Sequence, residues 1–325
     1  MAEPPLVSIV INNHDYGRFL AAAIDSALTQ THPRIEVVVV DDGSADRSRA
    51  VIDGYGARIH AVLQDNLGQG AAVNAGFAAC HGRVVNFLDA DDGLLPDAAG
   101  RAAAALAGGA VQWLAPLALV DAAGQPLGRT FPARPLPSGD LLARVLAFGP
   151  WAYPVTPTSG NFWSRAFLEQ VLPMPAERFR LGADEYLSAL APLYGPLVAD
   201  QRPAGRYRTH GANAYWRDRL SLADAAEDCR CFERVAALLA EHAERLGLSA
   251  RPERWRRRDW RQQLRLWLLH RGDPAAPPPG RLLAAALTDQ TRPGRKALLL
   301  PALAMLPLLP AAAARRLGLS LLARR

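Results

Sequence analysis

Residues 35–44 read IEVVVVDDGS, a β-branched run that stops abruptly on two carboxylates, a glycine and a serine. Such a run, bounded by turn residues, reads as a strand over Ile35–Val40. Working outward, the same grammar appears upstream in VSIVINNHD (7–15) and downstream in VVNFLDADD (84–92), giving strands over Val7–Ile11 and Val84–Leu88, with a fourth over Arg58–Val62. Between the first two strands, Tyr16, Phe19, Leu20, Ala23, Ile24, Ala27 and Leu28 recur at helical spacing and predict one buried face. Ser44 is placed to cap a second helix, and residues 68–80 read as a third. Short strands alternating with helices predict an α/β fold: a Rossmann-like, mostly parallel sheet with flanking helices.

Beyond this region the pattern changes. Residues 121–157 are rich in Pro and Gly and read as an excursion over the sheet, with one helix over Gly139–Phe148. Helices over Arg165–Leu172 and Asp184–Tyr194 and a strand near Arg206 follow. After Leu220 the chain reads as mainly helical, which divides it into an α/β domain over residues 1–220 and a helical C-terminal region over 221–325. In that region residues 297–314 are almost wholly apolar, between Arg295 and Lys296 on one side and Arg315 and Arg316 on the other. The length is borderline for crossing a bilayer, and Pro301, Pro307 and Pro310 interrupt it. Two expectations stay open: a segment lying on or re-entering a membrane, and a hydrophobic helical pair packed on the protein.

The polar residues that end the strands carry the chemistry. In an open parallel sheet ligands bind beyond the carboxyl ends of the strands. Here those ends supply Asn12, Asn13, His14 and Asp15, then Asp41 and Asp42, then Asp89, Asp91 and Asp92. Five carboxylates on the second and third of these ends repel one another unless a cation offsets them. A divalent cation, Mg2+ or Mn2+, takes oxygen ligands and shares its shell with phosphates, so the pattern suits a metal-bound diphosphate. Caps of helices and turns are the plain alternative for any single aspartate.

Four ordered blocks, VSIVINNHDYGRFL, VVVVDDGSADRS, NLGQGAAVNAG and VVNFLDADDGLLPDA, followed by PTSGNFWSR, GADEYL and YRTHGAN, resemble the family 2 glycosyltransferases of the GT-A fold. The resemblance implies an inverting, metal-dependent enzyme that moves a sugar from a nucleotide-diphosphate donor to an acceptor hydroxyl. Its setting would be cell-surface glycan or glycolipid synthesis, with a saccharide or a lipid-linked acceptor. By similarity Asn12, His14, Asp42, Asn74 and Asp89 belong to the nucleotide-sugar side, and Asp89 and Asp91 form a DXD element that holds the cation, with His210 beside it. His14 stands where the family usually has tyrosine, and Val73 where many relatives carry arginine. Asp184 fits the register of the family's base, an aspartate followed three residues later by leucine, here Leu187. Glu185, the other acid of the block, sits about 100° further round a helix, so the two cannot both aim at one hydroxyl. Asn161, Trp163 and Glu185 are expected on the acceptor side, with the Trp163 indole either stacking on a sugar or packed in the core.

Composition bounds the remaining classes. The 325 residues can bury a sizeable core, and a formal charge of +6 rests on arginine, Lys296 being the sole lysine. Basic residues concentrate after residue 200, and Trp255, Trp260 and Trp267 lie among arginines at helix-like spacing, which favours a packed or membrane-surface helix over a nucleic-acid partner. Three cysteines, Cys80, Cys229 and Cys231, make no framework, and MAEPPLVSIV has no basic, apolar leader, so a cytoplasmic protein is expected, possible association with the inner membrane face included. Two rivals remain at this level. A sugar nucleotidyltransferase needs a glycine-rich first loop, where this chain has NNHDYG. A noncatalytic nucleotide-sugar-binding scaffold has no need of the full acid set.

Overall fold

The computed structural model describes residues 3–211, 213, 220–274, 276–288 and 293–323. They divide into two compact units, one of residues 1–142 and 153–212, the other of residues 143–152 and 213–325.

The first unit opens with β1 (Val7–Asn13), α1 (Gly17–Leu28), β2 (Ile35–Asp42), α2 (Ser48–Asp53), β3 (His60–Gln64), α3 (Gln69–Ala79) and β4 (Val84–Asp89). It continues through β5 (Gly93–Leu94), α4 (Ala98–Leu106), β6 (Gln112–Leu114), β7 (Leu117–Val120) and β8 (Pro126–Phe131). Past α5 (Leu142–Phe148), whose residues from Ala143 on belong to the second unit, the first unit resumes with β9 (Asn161–Ser164), α6 (Arg165–Val171), α7 (Ala183–Tyr194), β10 (Leu197–Ala199) and β11 (Gly205–Arg208). Seven strands form the main sheet in the order β10-β6-β9-β4-β1-β2-β3, and β5-β11-β7-β8 form a smaller one. Strands β1 to β4 are mutually parallel where they pair, and β9 runs antiparallel to both neighbours, β4 and β6. The core of the main sheet is the predicted one. Val7, Ile9 and Ile11 of β1 and Leu20, Ala23, Ile24 and Ala27 of α1 are fully buried together. At about 25 cal/mol per Å2 of apolar surface this packing supplies most of the drive for the layer.

One local expectation is corrected. Ser44 does not cap α2, which starts four residues later after Arg47; its hydroxyl instead accepts from the Asn13 amide and the Asp15 backbone. The excursion after residue 121 also holds a strand, β8, which folds back on β7 as an antiparallel pair.

The second unit contains α8 (Leu222–Arg245), α9 (Pro252–Arg258), α10 (Trp260–His270), α11 (Pro279–Thr288), α12 (Pro293–Met305) and α13 (Ala311–Ala323). Ser221 and Asp224 form a reciprocal capping box at the start of α8, which satisfies backbone donors that would otherwise lack partners. Trp255, Trp260 and Trp267 are buried core residues, with the Trp255 indole donating to the Leu146 carbonyl, so their faces are not available to stack on bases. Cys229 and Cys231 are buried free thiols. The apolar run is split by a 3-10 turn at Leu306–Leu308, and no helix among the described residues is long and apolar enough to cross a membrane.

Candidate active site

The site grows from the carboxyl ends of β1, β2 and β4. Asn13 donates to Asp41 (2.8 Å) and to Ser44 (3.1 Å), and Asp15 accepts from the backbone of Ala45 and Asp46, so the loops after β1 and β2 are stitched together. Asp15 adopts a positive φ of 58°, a conformation aspartate tolerates better than most residues. His14 reaches the Asp42 carbonyl through Nδ1 (2.8 Å); a carbonyl only accepts, so Nδ1 bears the proton and Nε2 accepts from the Asn66 amide (3.0 Å).

Asp42 is buried, and its carboxylate takes three hydrogen bonds, from Gln64 Nε2 and the backbone amides of Leu67 and Gly68. These bonds give Asp42 the work of shaping the loop before α3. Gly68 there has φ of 93°, and a Cβ on it would lie 2.8 Å from the Arg180 carbonyl, so only glycine fits without strain. The next residue, Gln69, is a bridge that the sequence did not announce. Its Nε2 donates to Asp89 (3.2 Å), and its Oε1 accepts from the Gly182 and Ala183 amides at the start of α7. Through Asp42, Gly68 and Gln69, one chain of hydrogen bonds joins the end of β2, the end of β4 and the helix turn that carries Asp184.

The four aspartates of the DADD stretch and α7 share one electrostatic neighbourhood. Burial, and then the charges of Asp91 and Asp184, push the Asp89 carboxyl up to about 8, against hydrogen bonds from Thr158 and Gln69. Asp92 is raised well above the usual carboxylate range by burial and then by Asp91 and Asp89. Burial lifts Asp184 to about 6, although backbone amides of Glu185 and of Asp184 itself pull the other way. The Tyr207 phenol is raised by burial and then by Asp92, Asp89, Asp91 and Asp184 in turn, and Tyr16 is pushed up to about 12 by burial and the Asp91 and Asp89 charges. One phenol that feels four carboxylates at once marks their common focus.

Each acid is held differently. Asp92 is occupied internally: it accepts from Ser159 Oγ (2.6 Å) and the Arg208 amide (3.1 Å). Ser159 also accepts from the Asp89 amide, so this buried serine clamps both ends of the stretch. Asp91 Oδ2 meets His210 Nε2 at 2.9 Å. His210 Nδ1 faces the Arg18 guanidinium (3.4 Å), which can only donate, so Nε2 carries the proton toward Asp91. Its ring rests on Tyr16 and Phe19. Among the described residues no three His, Cys, Asp or Glu side chains are grouped so as to hold a metal ion, and Asp91 and His210 are bonded to each other.

Several sequence-chosen residues have other work. Trp163 is 1% exposed and packs on Phe167, so no face remains for a sugar. Asn161 is fully buried; its Oδ1 accepts from Gln112 and its amide donates to carbonyls of residues 156–158, which fixes the turn holding Ser159. Asn74 exchanges two hydrogen bonds with the Met174 backbone and faces that loop. Val73 is buried in the core. Asn12, by contrast, has both side-chain polar atoms shielded from solvent and without a hydrogen-bond partner, at the register position beside Asp89. An orphaned buried amide costs about 1–3 kcal/mol and marks a place where a ligand can bind.

Comparison with known proteins places the chain in a family. The family model described as Glycosyl transferase family 2 matches residues 8–115. An uncharacterised glycosyltransferase of Nostoc sp. is 34% identical over 267 residues, covering 79% of this chain and 81% of that protein. Chondroitin synthase of Escherichia coli is 37% identical over 97 residues, 29% of this chain and 14% of its own length. Among solved structures, S. aureus TarS 1-349 in complex with UDP-GlcNAc superposes with a TM-score of 0.52 at 16% identity, covering 96% of this chain and 89% of that one. The mannosyltransferase PcManGT from Pyrobaculum calidifontis, in complex with GDP-Man and Mn2+, gives 0.52 at 19% identity, covering 98% and 85%. Matched over most of its length by a glycosyltransferase and built on the GT-A fold, the chain belongs to the family 2 glycosyltransferases and is an enzyme of that class.

Proposed function

We propose that the enzyme transfers a sugar from a nucleoside-diphosphate donor to a hydroxyl of a saccharide or lipid-linked acceptor, with inversion at the anomeric carbon. The observation that carries this reading is that Gln69 ties the Asp89 carboxylate to the start of α7, so Asp89, Asp91 and Asp184 share one charged neighbourhood although Asp184 lies on a different element. The unpaired Asn12 amide sits at the same strand ends, where it can take polar groups of the nucleotide, with His14 and the loop anchored by Asp42 beside it. The match to a chondroitin synthase supports a polysaccharide or cell-envelope setting.

A divalent cation, Mg2+ or Mn2+, fits these residues. The carboxyls raise one another's pKa, which is the repulsion that a cation relieves, and they offer only oxygen donors. Asp89 and Asp91 would hold it, with His210 orienting Asp91; the Mn2+ in PcManGT supports the use of a divalent cation. When bound, the cation offsets the charge that grows on the departing diphosphate. Asp184 takes the proton of the acceptor hydroxyl as that oxygen bonds to the anomeric carbon and the carbon–diphosphate bond breaks.

A thermal-shift screen of nucleotide sugars with and without manganese tests the donor side. One nucleotide sugar should raise the melting temperature in the presence of the metal, and Asp91→Asn should abolish the metal-dependent part. If no donor shifts the protein under either condition, the reading fails. Release of pyrophosphate from a nucleoside triphosphate and a sugar phosphate would point to nucleotidyl transfer instead.

A further inference from the structure

The helical unit presents a second surface with a physical signature of its own. α12 is apolar on two opposite sides. Leu299, Leu303 and Leu306 are buried and pack with Trp260, Leu264 and Leu282. On the other side, Leu298, Met305 and Leu308 are 75%, 50% and 78% exposed. Positions 298, 301, 305 and 308 recur at intervals of three and four, so they form one stripe along α12 and the turn after it. Every exposed position from 297 to 308 carries Ala, Leu, Pro or Met. A surface helix of a protein surrounded by water places polar residues there. Lys296 closes the start of the stripe, its ammonium donating to the carbonyl of the exposed Leu287 at the end of α11.

Charge is distributed to match. Residues 279–325 contain eight Lys and Arg against one Asp, whereas residues 1–212 contain 16 against 20 acids. In sequence the basic balance of the chain is thus concentrated in its last 47 residues, and Arg315 and Arg316 of α13 are exposed. At 13 residues, α12 spans about 20 Å, less than a hydrocarbon core of about 30 Å. A short helix with an apolar outer edge and basic flanks has the properties of one that lies in a membrane interface.

We infer that the outer stripe of α12 beds into the headgroup boundary of an anionic phospholipid bilayer, with Arg315 and Arg316 drawn to the lipid phosphates. The apolar side chains supply insertion, and the arginines supply preference for negative charge. The inference rests on residues after 279 and is independent of the transfer chemistry.

The full chain should float with vesicles in which about a third of the phosphatidylcholine is replaced by phosphatidylglycerol, and should do so less as salt rises. Replacing Leu298, Met305 and Leu308 by serine should lower the partition coefficient by about 100-fold or more. Arg315→Gln with Arg316→Gln should lower it by about 30-fold on anionic vesicles only. Melting temperature and donor hydrolysis should be unchanged in both variants, which separates loss of docking from loss of fold or activity. Recovery of the parent chain in the soluble fraction with both kinds of vesicle overturns the inference. So does equal binding by the triple variant, or a concentration-dependent dimer in light scattering that the triple variant abolishes while no vesicle is bound.

Discussion

Asp184 ionises near pH 6, high for an aspartate, and this suits a group that must be charged at neutral pH yet basic enough to take a proton. Asp184→Asn is expected to leave donor binding intact while turnover falls by about two to four orders of magnitude, read from initial rates beside donor titrations. In the parent enzyme, turnover should rise with pH through about 6, and the substitution should remove that limb. Gln69 makes a different prediction, because it touches three elements and no reacting group. Gln69→Ala leaves the Gly182 and Ala183 amides without their side-chain acceptor and should cost about 1–3 kcal/mol in denaturant unfolding, with Asp184 less well positioned and turnover reduced. At this scale the sequence was legible where a polar residue ends a strand, as at Asp89 and Asp91. It was silent on Gln69, whose partners lie 20 and about 113 residues away. Trp163 stayed open between core and sugar platform for a related reason: only its burial decides between them.

Elements follow the same division. Strands β1, β2 and β4 are legible because unbroken apolar runs end in acids, and α1 because its buried positions repeat at helical spacing. Of the smaller sheet only β11 was legible, as the strand near Arg206; β5 has two residues, too little periodicity to declare itself. α3 shows how tightly the readable elements pack. A Cβ on Gly76 would stand 2.2 Å from Val10 Cγ1 and 3.1 Å from Val40 Cγ2, so the helix lies on β1 and β2 only because that side chain is absent. Gly76→Ala should destabilise the protein by about 1–3 kcal/mol through overpacking, even though alanine is the better helix former. A lowered melting temperature checks it; an unchanged or raised one would mean that the sheet yields.

The acid cluster also leaves a mark on the stability of the entire protein. Asp89 and Asp184 have folded pKa values of about 8 and 6, above their value of 3.8 in the unfolded chain, so between about pH 4 and pH 8 the native state binds more protons. Without metal these two carboxyls therefore lower stability as pH rises through that window, and they outnumber His242, whose pKa is lowered by burial and which acts the other way there. Asp46 and Glu36, whose pKa values are lowered, act oppositely and only at more acidic pH. In chelator, the melting temperature should decline from pH 5 to pH 8, and Asp89→Asn should flatten the decline. The order of the main sheet bears on how the protein is made. Residues 7–114 provide five of its seven strands, yet β4 and β6 are joined only through β9, whose Asn161 follows Asn86 by 75 residues. A chain emerging from the ribosome therefore carries the bare rim of Val84, Val85 and Asn86 until the later segment arrives to cover it. The stretch most readily recognised as belonging to this family is thus not a unit that can complete itself. A fragment ending at residue 120 should self-associate in sedimentation more strongly than the full chain does.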